Sequence, residues 1–118
     1  MNADAPQIRK WVARVRARHP VESARYTEEQ IEKAMFGWLN LMEPLGLNEH
    51  EDQVRFVGLC VLLTPEQRRS PLTRGVLMRI MSYKKWPSHI RLDFVYKHLV
   101  GRPLSANEED FGPKFAPL

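Results

Sequence analysis

The chain has 118 residues, 43% of them hydrophobic and 27% charged, and a formal net charge of +4. These values suit one soluble globular domain with its own core. They come with features that exclude other classes. Lone Cys60 rules out an internal disulfide and fits a reducing compartment. No apolar run nears the roughly 18 residues of a membrane span, and Asp4, Arg9 and Lys10 break up any signal sequence, so a cytoplasmic protein is expected.

Every periodic segment is helical. Asp4 stands at the cap of a first helix with Pro6 in its opening turn, and Ile8, Trp11, Val12 and Val15 then share one face. Arg9, Lys10, Arg14, Arg16 and Arg18 take the other faces. His19-Pro20 ends this helix, because the residue before proline avoids the helical region. Thr27-Glu28-Glu29-Gln30 is a capping box that opens the next helix. Its stripe is Ile31, Met35, Trp38, Leu39 and Met42, with Phe36 off the stripe, and Pro44 and Gly46 stop it.

Asn48 and Glu51 form a further capping pattern, and Glu49, Glu51 and Asp52 favour the positive end of the helix dipole there. Beyond Arg55 the run FVGLCVLL has no polar face, which marks a central helix and buries the Cys60 thiol. Thr64-Pro65 starts a short helical turn, and Ser70-Pro71 repeats the signal. Leu72, Val76, Leu77 and Ile80 then face inward, with Met81 beside them. A loop spans 82–87. The closing helix runs from about Ser88 to Val100, with Leu92, Val95, Tyr96 and Leu99 as its stripe and Phe94 on the flank. Gly101-Arg102-Pro103 ends it. The expectation is an all-α fold: a compact irregular bundle of four main helices plus a short helical turn over residues 1–102, then an extended C-terminal tail, 103–118, punctuated by Phe111 and Phe115.

Charge is arranged in blocks. Residues 1–26 carry a net +4, residues 27–66 a net −6, residues 67–102 a net +8 and the tail a net −2. An acidic block between two basic ones favours intramolecular compensation over one continuous nucleic-acid face.

Catalytic signatures are missing. His19, His50, His89 and His98 lie in separate segments without zinc spacing, and Cys60 has no ligand or base beside it. Glu49, Glu51 and Asp52 are better explained by their place at a helix start than by acid–base work. The expectation is a protein that is not an enzyme and has no catalytic residues, cofactor or metal. A small basic DNA- or RNA-binding regulator is the rival class, through the basic first helix and the block of Arg68-Arg69, Arg74, Arg79 and Lys84-Lys85, in which the Ser70-Pro71 helix and the turn before it loosely resemble a helix-turn-helix. Few Ser, Thr, Asn or Gln accompany those cations to read bases. Membrane-surface binding is not expected, since Trp11 is the only aromatic of the basic helix and its apolar stripe is narrow. Aromatic and Arg side chains dominate interface energetics, so the expected partner-binding residues are Arg79, Tyr83, Lys85, Trp86, Phe111 and Phe115.

From Leu45 onward the order of features is PLGLNEHEDQVRFVGLCVLL, a polar turn, SPLTRGVLMRIM, a proline, and IRLDFVYKHLVGR. Gly46-Leu47, Arg55-Phe56-Val57 with Leu59, Val76-Leu77, and Arg91-Leu92 with Val95-Tyr96 carry a resemblance. Residues 45–102 resemble small all-helical proteins encoded beside bacterial type VI secretion toxins and their spike proteins. The resemblance implies a non-enzymatic, protein-binding accessory: an adaptor or chaperone of a secreted toxin or its spike protein, or an immunity protein masking a cytoplasmic toxin. It carries over no catalytic residue. The basic first helix and the Phe-Pro tail lie outside its pattern.

Overall fold

A computed structural model describes residues 5–102 and Leu104. Among these residues the order is α1 (Ala5–Arg18), α2 (Pro20–Ser23), α3 (Glu28–Leu41), α4 (His50–Leu62), α5 (Pro65–Arg69), α6 (Pro71–Met81) and α7 (Ser88–His98). The all-α fold is as expected, and no strand occurs among the described residues. The count is not as expected. Five long helices and two short ones replace four main helices and one turn. Each of the four apolar stripes, and the all-apolar run, has its own helix. Pro20 follows the end of α1 and is also the first residue of α2, where its missing N–H costs nothing. Asp4 and the tail with Phe111 and Phe115 lie outside the described residues.

The chain forms two units, Met1–Leu62 and Leu63–Leu118. In the first, α1 and α3 pack on each other and both pack on α4. Trp11, Val12 and Val15 of α1 meet Ile31, Met35 and Leu39 of α3 as the buried faces, while α4 buries Phe56, Val57, Leu59, Cys60 and Val61 in succession. The all-apolar run thus does what its lack of a polar face requires. Trp38 sets its ring edge-on to Phe56 at 5.1 Å. The Thr27 box forms in full: its hydroxyl accepts from the Gln30 N–H and the Gln30 amide accepts from the Thr27 N–H.

Between α3 and α4 the chain reverses at Gly46, whose φ of +72° is left-handed and suits glycine. Leu47 N–H donates back to the Met42 carbonyl at 3.0 Å, and Leu45 and Leu47 are buried beneath the turn. Helix α4 starts at His50, two residues after Asn48, so Asn48 is not its cap. Glu51 does not close a capping box either. It takes a bidentate ion pair from Arg18.

The second unit is built on the hairpin of α6 and α7, with α5 against α6. Val76, Leu77, Ile80 and Met81 face Leu92, Val95 and Leu99 as its core. Thr64 and Gln67 cap α5 reciprocally. Ser70 ends α5 and caps α6, its hydroxyl accepting from the Thr73 N–H at 3.2 Å. Gln67 is 4% exposed, and its amide donates to the carbonyls of Leu99 at 2.7 Å and Arg102 at 3.1 Å. One side chain therefore caps α5 and holds the chain where it leaves α7. Gly101, with φ +72°, makes that exit. Helix α7 stops at His98, two residues short of the expected Val100.

Candidate functional site

Two of the expected partner-binding residues, Tyr83 and Trp86, meet at the turn between α6 and α7. Local hydrogen bonds shape this turn. Ser82 N–H donates to Met78, Tyr83 N–H to Ile80, and Trp86 N–H to Tyr83, all at 2.9–3.1 Å. Pro87 then opens α7, its carbonyl accepting from Ile90 and Arg91.

Arg91 fastens the turn from behind. Although charged, it is 4% exposed. Its Nε donates to the Trp86 carbonyl at 3.1 Å, and its guanidinium also donates to the Met81 carbonyl at the end of α6. A planar fork can tie two carbonyls at once, which a lysine ammonium on a flexible stem does less well. The two carbonyls belong to residues on either side of the 82–85 stretch, so Arg91 fixes the loop to the hairpin.

Fixed this way, the loop aligns a series of rings. Tyr83 meets Trp86 edge-on at 5.5 Å, Trp86 meets Phe94 at 5.7 Å, and Phe94 meets His98 at 4.4 Å. All four are half-buried, so each packs on one side and shows the other. Lys84, Lys85 and Lys97 are exposed around them. Asp93 is the lone acidic residue of the 67–102 block and lies on the same helix. Arg79 is half-buried near the end of α6, and Lys85 is exposed. Phe111 and Phe115 are not among the described residues.

Sequence reasoning placed Phe94 on a flank and His98 nowhere. Their spacing of four on one helix was the available signal, since such residues are neighbours on a helix surface. Arg91 entered only through the resemblance. Nothing local marks a buried arginine.

The basic first helix has much of its charge engaged within its own unit. Arg16 Nε pairs with Glu28 at 2.7 Å, and its Nη atoms donate to the Ser23 and Tyr26 carbonyls at 3.1 Å. Arg18 pairs with Glu51. The Arg14 guanidinium lies 5.0 Å from the Trp11 ring centroid. Arg9 and Lys10 remain as exposed cations. Glu28 and Glu51 both come from the acidic block, so these pairs realise the compensation between blocks. The hydrogen bond from Arg18 holds the Glu51 carboxyl below its ordinary range.

Other chemistry is sparse. Among the described residues no group of three His, Cys, Asp or Glu side chains could hold a metal ion. Cys60 is fully buried. His19 has a buried Nε2 without a hydrogen-bond partner, and burial lowers its pKa. An open hollow of about 480 Å³ lies by Thr64, Gln67, Ser70 and Leu104. The side chains of Thr64, Gln67 and Ser70 are already committed to helix caps there. No described helix is long and apolar enough to cross a membrane.

No family model matches the chain, nor does any curated protein or solved structure.

Proposed function

We propose that the chain is a non-enzymatic, protein-binding accessory that captures a partner through the corner formed by Tyr83, Trp86, Phe94 and His98. The observation that carries this reading is the half-buried ring series held in place by buried Arg91 and surrounded by Lys84, Lys85 and Lys97. Aromatic anchors dominate interface energies, and anchors that are already ordered lose little entropy on binding. The lysines favour a partner with an acidic surface and speed its approach. The resemblance of residues 45–102 to accessory proteins of type VI secretion loci supplies the partner class: a secreted toxin or its spike protein. Arg79 and Lys85 remain candidate partner-binding residues, and the tail candidates Phe111 and Phe115 lie outside the described residues. An immunity role is the sibling reading, in which the same capture masks the toxin in the cytoplasm.

Pull-down with the toxin and spike proteins encoded beside the gene tests the proposal. W86A and the double variant K84E/K85E are expected to lose capture while keeping their helical circular dichroism. Rescue of growth when toxin and accessory are produced together separates masking from delivery. The rival reading, a DNA- or RNA-binding regulator, predicts binding to generic duplex that weakens steeply with salt. Recovery of nucleic acid alone at moderate salt overturns the protein-binding reading.

A further inference from the structure

The outward side of α7 adds a pattern of charge to the ring corner. Ile90, Phe94 and Lys97 stand four and three residues apart, so they share one side of the helix. Ile90 is 39% exposed, an apolar side chain left in water one turn before Phe94. The Trp86 ring lies 5.7 Å from that of Phe94, so Trp86, Ile90 and Phe94 form one apolar strip. Exposed cations stand at both ends of the strip: Lys84 and Lys85 in the turn, and Lys97 in the last turn of α7. None of the three pairs with a carboxylate among the described residues. Asp93, also exposed, flanks the middle. Ser88 and Lys97 are about 14 Å apart along the helix axis, so the cationic ends are on the order of 15 Å apart.

We infer that the partner element taken by this corner, on the protein-binding reading above, is a short extended segment with acidic residues at its two ends and large apolar residues between them. An extended chain rises about 3.3 Å per residue, so about six residues span the distance between the lysines. The apolar centre covers Ile90 and the open faces of Trp86 and Phe94, and one carboxylate meets each cationic end. Asp93 sets the order of charges, because an acidic residue in the centre of the segment would lie close to it. One helix side is smaller than the roughly 800 Å² per partner of a standard interface between folded proteins, and a short segment matches it. A nucleic acid fits less well. Its phosphates are evenly spaced, and the middle of this strip offers a carboxylate and an isoleucine. Bases stack on ring faces, whereas Tyr83 and Trp86 are set edge-on to each other at 86°.

Two peptides of equal composition test this on the full chain. One is Glu-Asp-Ser-Leu-Phe-Ser-Asp-Glu, with its acids at the ends. The other is the isomer Leu-Ser-Glu-Asp-Asp-Glu-Ser-Phe, with its acids in the centre. Nuclear magnetic resonance titration reads affinity and place together. The end-acidic peptide is expected to bind about tenfold more tightly than its isomer, shifting the Trp86 indole N–H and the amides of Ile90 and Lys97. K97E and K84E/K85E should each weaken it about threefold to tenfold, with helical circular dichroism unchanged. D93N should narrow the difference between the peptides by strengthening the isomer. Equal binding of the two peptides overturns the inference, and so does binding that K97E leaves unchanged. A generic DNA duplex that shifts the same signals at lower concentration than the peptide overturns it as well. If neither peptide binds while W86A still abolishes capture of the toxin or spike protein, the extended segment is refuted and the protein-binding reading stands. If capture survives W86A, that reading falls and takes this inference with it.

Discussion

Replacing Arg91 by methionine removes the clamp while keeping most of its apolar stem. Arg91 donates to two carbonyls, those of Met81 and Trp86. A hydrogen bond with a charged partner contributes about 1.5–3 kcal/mol net, so two contribute about 3–6 kcal/mol. Methionine no longer needs to bury a guanidinium, which offsets about 1–3 kcal/mol of that loss. Taking the midpoints, the expected result is a destabilisation of about 2.5 kcal/mol, a large fraction of the stability of a chain this size. R91K keeps the charge but lacks the fork, so it should fall between R91M and wild type. Urea unfolding gives the free energies, and amide exchange locates the change. The Tyr83 and Trp86 N–H groups, which form the turn's own bonds, should exchange faster in R91M. Partner capture should weaken as well, since the rings lose their fixed base. An R91M protein within about 0.5 kcal/mol of wild type, with unchanged exchange at Tyr83 and Trp86, would refute the claim that Arg91 organises the corner.

The remaining predictions concern other parts of the chain. Q67E keeps an acceptor for the Thr64 N–H but loses both donors to Leu99 and Arg102, so it should be destabilised nearly as much as Q67A, by about 2–3 kcal/mol in urea unfolding. If Q67E is instead close to wild type, the cap of α5 matters and the tie to the end of α7 does not. F56A removes a fully buried ring and its edge contact with Trp38, and should lose about 3–5 kcal/mol by the same assay. Burial lowers the pKa of His19, so the unfolded chain holds that proton more tightly than the folded one. Stability from this group is present above its unfolded value of 6.5 and declines as pH falls through the lower folded value. H19Q should therefore show a shallower loss of unfolding free energy between neutral and mildly acidic pH. An unchanged slope would remove His19 as a contributor.

What was legible in the sequence was local. Thr27 with Gln30, Thr64 before Pro65, and Ser70 before Pro71 are local cap signals, and a cap forms at all three. The four apolar stripes each find a helix, because each is long enough to show its period, and the all-apolar run finds the central one. Helix α2 has only four residues, too few to show any period. Helix α4 starts at His50 rather than just after Asn48, and Glu51 pairs with Arg18, 33 residues earlier in the chain. Block charges suggested such compensation but could not name the pair. The corner was half visible. Tyr83 and Trp86 stand three apart in a short loop, yet Phe94 joins them only because α7 folds back on α6. Arg91 was the hardest to see, since its partners are backbone carbonyls that any sequence would offer.

Ser70 has a consequence of its own for how this chain can vary in length. A single residue, with φ −73° and ψ 116°, both closes α5 and opens α6. The joint has no slack. One inserted residue would turn α6 by about 100° relative to α5. Val76, Leu77 and Ile80 would then swing off α7, or Gln67 would leave the carbonyls it ties. Insertions and deletions should therefore be lethal to the fold at this joint while substitutions beside it are absorbed. A scan of single-residue insertions would show a sharp minimum in folded yield between Arg69 and Thr73.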